Sequence, residues 1–412
     1  MVHGLGHQDN NVILLIIKQL SRCVLDDELA SLVIQRDMVK PVLEKLDSDL
    51  VVATEVANWV MLLAETPGGL PALSSPESVA QLQNIASKST TLETRVLDMM
   101  VRVAAIGEEH LLSVKNSGFL DQLIKILHTE DFLLKLNCIE LLTTLALAPH
   151  GQRYIETTGI LSTMTTLLED CPNHPFADIL LPGLVKFWGN LAHTRPKHIM
   201  SEYPVLLTSL VNMVQAEDFT AQCIAFETIG YIGVSLEGKA ALANVGNTMV
   251  ECIDKLEMLI RNSPTEVKIR AMNAMASLIK LDKENQTSEL LSLTQAWYMR
   301  VPTAMDMLFN IVRQPFLDLR LAAYQLLCVM ADQPWGRSVI MKQPGFCEFL
   351  MDRSGEGDKR GREEKFKIIQ IIVDSRESKE VLGPDMDMHM KLFVKQGPHY
   401  VQVQSQVAYE EA

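Results

Sequence analysis

The sequence predicts an all-α chain built as a solenoid of similar helical modules. Three observations carry this: apolar residues recur with the period of a helix, two glycine turns return at a regular interval, and 412 residues exceed what one compact core accommodates. Single hydrophobic cores stop growing near roughly 250–300 residues, so the chain is either several globules or a quasi-linear array. The helical period is plain at Leu134, Cys138, Leu141, Leu142 and Leu145, which share one stripe of a helix. Helix starts carry groups that satisfy the free N–H groups of a first turn. Ser263-Pro264-Thr265-Glu266 offers a capping hydroxyl, a proline where no N–H is needed and a reciprocal carboxylate. Thr90 with Glu93 forms a second capping box. No alternating strand pattern bounded by hairpin turns is present.

The periodicity fixes the class of array. A turn Gly-x-x-x-[Ile/Leu] recurs at Gly151, Gly238 and Gly336, with Ser378 to Leu382 as a degenerate copy. A second glycine, just before a new helix, recurs at Gly118, Gly159, Gly246 and Gly345. Both series fit a unit of about 41–50 residues, sometimes skipping one, which is the armadillo/HEAT range. Within a unit, GQRYIETTG reads as a short first helix, ILSTMTTLLED as a second and PFADILLPGLVKFWGNLAH as a long third. The expectation is one armadillo/HEAT-like solenoid, a right-handed superhelix of about nine units over residues 1–393, followed by a C-terminal tail over 394–412. Two places break the pattern. TPGGLPALSSP (Thr66–Pro76) replaces a first helix with a loop, and SGEGDKRGREEK (Ser354–Lys365) reads as a charged, mobile insertion. The last twelve residues are polar and are expected to fray.

Composition excludes several classes. The formal charge is −14, which repels phosphate and argues against general nucleic-acid binding, while favouring a partner that is basic where it docks. Seven scattered cysteines with no C-x-x-C suit buried thiols in a reducing compartment. No stretch approaches the roughly 18 apolar residues of a membrane span, so a soluble, intracellular protein is expected, with no membrane contact and a cytoplasmic or nuclear location.

Catalytic signatures fail in turn. Gly233-Val-Ser-Leu-Glu-Gly-Lys239-Ala240 nearly spells a phosphate-binding loop, but Ala240 stands where a hydroxyl must bind Mg²⁺ and no strand precedes it. It also lies on the repeat's own turn. Cys171 and His174 are one loose pair with no second pair at zinc spacing. Met386, Met388, His389 and Met390 suit terminal packing better than a soft-metal site. No H-E-x-x-H or G-x-S-x-G occurs, and Asn285-Gln-Thr287 is a glycosylation sequon without meaning inside a cell. No enzyme activity, metal or cofactor is expected.

What remains is surface. Aligned by their ends, the third helices place Asn58, Asp98, Glu140, Lys186, Thr228, Ala274 and Gln325 at one position. All but Ala274 are polar, in helices otherwise rich in Leu, Ala and Met. In armadillo-type superhelices the third helices line the concave groove, so this row is a candidate partner-binding ladder; the plainer account is the wet face of any packed helix. One turn later, where armadillo proteins that hold extended peptides use asparagines, only Asn190 qualifies. A folded partner therefore suits the groove better than a bare peptide, and an armadillo-type adaptor for another protein or peptide is the alternative.

At Leu181–Ala192 (LPGLVKFWGNLA), Gln333–Ile340 (QPWGRSVI), Gly345–Ser354 (GFCEFLMDRS) and Gly397–Val401 (GPHYV), the chain resembles the 26S proteasome non-ATPase regulatory subunit 5 family. The resemblance implies a chaperone for assembly of the base of the proteasome regulatory particle, a monomer when free. Such proteins clasp the C-terminal domain of one proteasomal AAA ATPase subunit, in a module with a neighbouring ATPase and the large non-ATPase scaffold subunit. They hinder its early docking on the core particle and leave before the proteasome is complete. Family members carry further helical units before the position of Met1, so this chain is expected to start inside the array.

Overall fold

The computed structural model describes residues 2–300 and 304–400, and every regular element among them is helical. Among the described residues nine longer helices recur as the last element of successive modules. They are α1 (Asn10–Cys23), α2 (Leu50–Ala64), α3 (Thr90–Ile106), α4 (Phe132–Leu145) and α5 (Ala177–Thr194). The series continues with α6 (Phe219–Ile232), α7 (Thr265–Ile279), α8 (Leu317–Ala331) and α9 (Lys359–Val373). Other helices, most of them shorter, lie between them; Pro149–Thr157 and Ile160–Asp170 lead into α5, matching the three-helix order read from sequence. The apolar stripe of α4 turns inward, with Cys138, Leu141, Leu142 and Leu145 buried. No single described helix is long and apolar enough to cross a membrane.

Aspartates fix most of these starts. Asp9, Asp49, Asp131, Asp218 and Asp358 accept hydrogen bonds from first-turn N–H groups of α1, α2, α4, α6 and α9. The two caps read from sequence shift. At α3 the hydroxyl of Ser89 accepts from Leu92 N at 3.2 Å, so Thr90 is already helical, and Glu93 instead accepts from Gln122 Nε2 at 2.6 Å. The serine oxygen stands three residues before that N–H, the reach an N-cap needs. At α7 the N-cap is Pro264, without a side-chain bond, while Ser263 closes the helix before it.

The first glycine series is a packing requirement. A Cβ on Gly151, Gly238 or Gly336 would overlap the carbonyl oxygen of Leu145, Ile232 or Met330, at the end of the preceding third helix. Gly69 stands in the same relation to Leu63, so the stretch expected as a loop holds a shortened first helix, Gly69–Leu73. The residue after each of the first three glycines is a long donor that reaches back six positions. Gln152 Nε2 donates to Ala146 O at 2.7 Å, Lys239 Nζ to Gly233 O, and Arg337 Nη1 to Ala331 O at 3.0 Å. Each satisfies a carbonyl that a helix C-terminus leaves without an internal partner. The second series supplies left-handed backbone before second helices, as at Gly118 (φ 82°) and Gly159 (φ 74°).

By contacts the chain divides into two units, Met1–Leu191 and Ala192–Ala412. In the first, α1 packs on α2, α2 on α3 and α3 on α4, around fully buried Trp59, Met99 and Leu142. In the second, α6 packs on α7, α7 on α8 and α8 on α9, around Met272, Tyr324 and Ile368. Stacking buries a stripe that one module could not cover alone.

The charged stretch Ser354–Lys365 is ordered rather than mobile. Glu356 is only 2% exposed and takes a bidentate pair from Arg320, with Nε to Oε2 at 3.0 Å and Nη2 to Oε1 at 2.8 Å. Tyr324 OH donates to it at 3.2 Å. Burial pushes this carboxyl up, but hydrogen bonds from Arg320 and Asp358 N–H, with the Arg320 charge, hold it below its ordinary range. Lys365 is buried too, donating to Asp352 O at 2.8 Å over the Phe349 ring. Two of the charges that read as a solvated loop are thus buried, Glu356 against Arg320 and Lys365 against a backbone carbonyl. Helix Pro384–Gln396 reaches into the segment expected as tail, and positions 401–412, expected to fray, lie outside the described residues.

Candidate functional site

The ladder can be placed helix by helix. In the first unit Asn58, Asp98, Glu140 and Lys186 each stand between pairs of buried neighbours, as Asn58 does between Val56–Ala57 and Trp59–Val60. They are cross-linked. Arg102, one turn after Asp98, donates to Asn58 Oδ1 at 3.3 Å and lies 3.9 Å from Asp98 Oδ2. Lys186 Nζ lies 3.7 Å from Glu140 Oε1. Burial pushes the Asp98 carboxyl up; Arg102 opposes this and Glu140 adds to it. Asn190 is half-buried one turn beyond Lys186.

In the second unit the ladder read from sequence slips by one residue. Thr228 is half-buried and its hydroxyl donates to Ile224 O at 2.8 Å, within its own helix. The exposed place belongs to Glu227, which holds Arg270 of α7 by Nε to Oε1 at 2.5 Å and Nη2 to Oε2 at 2.8 Å. Ala274 is 3% exposed, packed where a Cβ on Gly230 would come within 3.2 Å of its Cα. Its neighbour Asn273 is the exposed one. Gln325 is exposed between buried Tyr324 and Leu326, as expected. The corrected row is polar throughout: Asn58, Asp98, Glu140 and Lys186 in one unit, Glu227, Asn273 and Gln325 in the other. The signal that finds it is in the sequence. Counting back eleven from Gly69, Gly151, Gly238 and Gly336 gives Asn58, Glu140, Glu227 and Gln325. The packed glycine is thus a better ruler than the apolar string ending each helix.

The other candidates do not converge on chemistry. Lys239 is fully buried beneath the turn, donating to Gly233 O and, at 3.4 Å, to Ser277 O. Burial lowers its amine to about 8. Its ammonium is directed at carbonyls near helix ends. Cys171 Sγ points at Ala177 O, while His174 stacks on Phe132, ring centres 5.6 Å apart. Met390 is buried and Met388 exposed on the same helix. Among the described residues no group of three or more His, Cys, Asp or Glu side chains is placed to hold a metal ion.

The family profile described as "Proteasome non-ATPase 26S subunit" matches residues 1–412, the whole chain. The chain belongs to this family. Proteins named 26S proteasome non-ATPase regulatory subunit 5 from Mus musculus and Homo sapiens are 30% and 29% identical to it over 413 residues, covering 99% of this chain and 82% of each relative. The namesake from Drosophila melanogaster is 24% identical over 341 residues, covering 82% of this chain and 66% of its own length. Among solved structures, a designed armadillo repeat protein in complex with the peptide (KR)4 superposes with TM-score 0.43 at 17% identity, over 60% of this chain and 97% of that one. An engineered protein gives 0.47 at 15% identity, over 96% and 97%. The resemblance to the proteasome subunit 5 family read from sequence strings is borne out across the whole length.

Proposed function

We propose that this protein is an assembly chaperone for the base of the proteasome regulatory particle, and that it clasps the C-terminal domain of a proteasomal AAA ATPase subunit. The observation that carries this reading is the end-to-end match to the proteasome non-ATPase subunit family. The structure supports a docking role through the ladder, where Asn58, Asp98, Glu140, Lys186, Glu227 and Gln325 face solvent wholly or in part. Their ion pairs are exposed, and exposed pairs contribute about 0–1 kcal/mol each, so a partner can replace them at little cost. The mechanism is steric: while the ATPase domain is held, it cannot also meet its neighbour or the core particle, so binding and incorporation compete. The bound module would include a neighbouring ATPase and the large non-ATPase scaffold subunit, and the chaperone would leave before the proteasome is complete.

The test is direct. The purified chain is mixed with isolated, folded C-terminal domains of the proteasomal ATPases and analysed by size-exclusion chromatography and calorimetry. A one-to-one complex with one of them is expected, weakened at least tenfold by joint Glu140→Lys and Glu227→Lys substitution. No complex with any domain at micromolar concentration would overturn the reading.

A further inference from the structure

A cleft of about 620 Å³ lies in the second unit, walled by α7, α8 and α9 with Val234 at its end. The corrected ladder places two carboxamides, Asn273 and Gln325, on its walls with the hydroxyl of Ser277. Neither carboxamide makes a side-chain hydrogen bond to another described residue, and both are exposed. We propose that this cleft binds an extended peptide segment carrying an acidic side chain.

The chemistry of the two amides sets the class of ligand. A carboxamide both donates and accepts, which matches a peptide N–H and C=O presented together. A helix uses those groups internally, so only an extended backbone has them to offer. Helices that pack side by side stand about 8–10 Å apart, and an extended chain rises about 3.3 Å per residue, so the two rungs engage backbone groups roughly three residues apart. The same lining includes the apolar Ala276, Val329 and Ile371, which can meet side chains of the bound segment.

The charges select against the chain's own bias. Lys280 and Lys367 line the cleft with a single carboxylate, Asp332. Asp332 lies 3.7 Å from Lys283 and Lys367 lies 3.8 Å from Glu364, so both are engaged. Lys280 has no carboxylate within ion-pair distance among the described residues; its charge acts on the buried Lys239 amine against the stronger, opposite effect of Asp282. A chain of net charge −14 thus presents an exposed cation beside two exposed amides, whose solvating water a ligand can replace. An aspartate or glutamate in the bound segment completes it. This site stands on its own geometry, whether or not the folded partner is a proteasomal ATPase.

The experiment uses the full chain and fluorescein-labelled decapeptide pools, capped at both ends and randomised except at two positions three residues apart. One pool has aspartate there and the other lysine; a third repeats the aspartate pool with N-methylated backbone. By fluorescence anisotropy the aspartate pool is expected to bind at least tenfold more tightly than either of the others. Asn273→Ala with Gln325→Ala should remove that binding, and Lys280→Glu with Lys367→Glu should turn the preference toward lysine. All four positions are exposed, so circular dichroism should show unchanged melting. Equal binding of the aspartate and lysine pools, binding that survives backbone methylation or the amide pair of substitutions, or no binding up to millimolar peptide would each overturn the proposal.

Discussion

Gly238→Ala separates a close-packed turn from an ordinary helical glycine. Gly238 lies inside the helix Leu236–Asn244, where alanine is ordinarily better by about 1 kcal/mol. Here a Cβ would stand 2.8 Å from the carbonyl carbon of Ile232 and 2.8 Å from Ser235 Oγ, and would overlap the Ile232 oxygen. The obstruction is backbone at the end of a packed helix, so relief requires the first helix to move bodily away from α6. Overpacking of this kind costs about 1–3 kcal/mol. The movement also pulls Lys239 from Gly233 O and leaves a buried ammonium and a buried carbonyl poorly paired, at about 1–3 kcal/mol more. Set against the propensity gain, a net loss of about 1–5 kcal/mol is expected. The internal control is Gly183→Ala, inside α5, where a Cβ meets Leu136 Cδ1 at 3.5 Å and Ile139 Cγ2 at 3.7 Å. Those are ordinary contacts, and that variant should gain about 0.5–1 kcal/mol. Urea unfolding gives the totals, and because repeat arrays open in parts, hydrogen exchange over Ile232–Leu242 locates the loss. If Gly238→Ala stabilised the protein as much as Gly183→Ala, the close approach would not exist and the glycine ruler would lose its physical basis.

Four further outcomes follow from buried charge and the ladder. Lys239 has its amine lowered to about 8 from 10.5, so the folded state holds fewer protons between those values and its burial cost is full below pH 8. Stability should therefore rise between pH 8 and 10.5, by about 3 kcal/mol at most from this group, and the rise should be smaller in Lys239→Met when the two are melted in parallel. Glu356→Gln leaves Arg320 without its bidentate anion and should cost about 3–5 kcal/mol, read as faster hydrogen exchange in α8 and α9. Because the Glu356 carboxyl is held low, its contribution is present above its unfolded value and should fade as pH falls through the folded one. Glu140→Gln, which only releases the exposed Lys186, should change stability by less than about 1 kcal/mol in the same urea assay.

The sequence carried the fold because the signals that specify it are local and repeated. Glycine against a carbonyl, glycine at left-handed φ and a long third helix each recur at module spacing, so the bounds of α5 and of the two helices just before it are legible without coordinates to within about two residues. The same logic disposes of the phosphate-loop likeness: glycine followed by lysine at 238 and 239 parallels glycine–glutamine at 151 and glycine–arginine at 336, three versions of one cap. What local signals could not give was register on a helix that is apolar on most sides. In α6 and α7 Thr228 and Ala274 differ from Glu227 and Asn273 by one residue, about 100° of rotation, and the apolar strings at the helix ends do not resolve that. The Ser354–Lys365 stretch was illegible for another reason. Its charges look solvated until Arg320, some 36 residues upstream, is brought to Glu356 by the packing of α8 on α9.

The corrected register also changes what the net charge means. Whole-chain acidity suggested a partner that is basic where it docks, but the ladder does not carry that excess. Asp98 is matched by Arg102, Glu140 by Lys186 and Glu227 by Arg270, so its charges balance within each unit. Farther along the second unit the balance tips the other way, with Lys280 lacking an ion-pair partner among the described residues and the amides of Asn273 and Gln325 exposed. Screening at physiological salt reaches only about 8 Å, so a partner seated on these faces feels the local groups far more than the distant acidic surface. The net charge of −14 then acts at long range, through solubility and encounter, and the proposed docking on the ladder and in the cleft would rest on a locally balanced row and a locally basic patch. A surface of weak exposed pairs would hold a partner through shape and many small terms rather than a few deep ones, the energetics that the proposed temporary clasp requires.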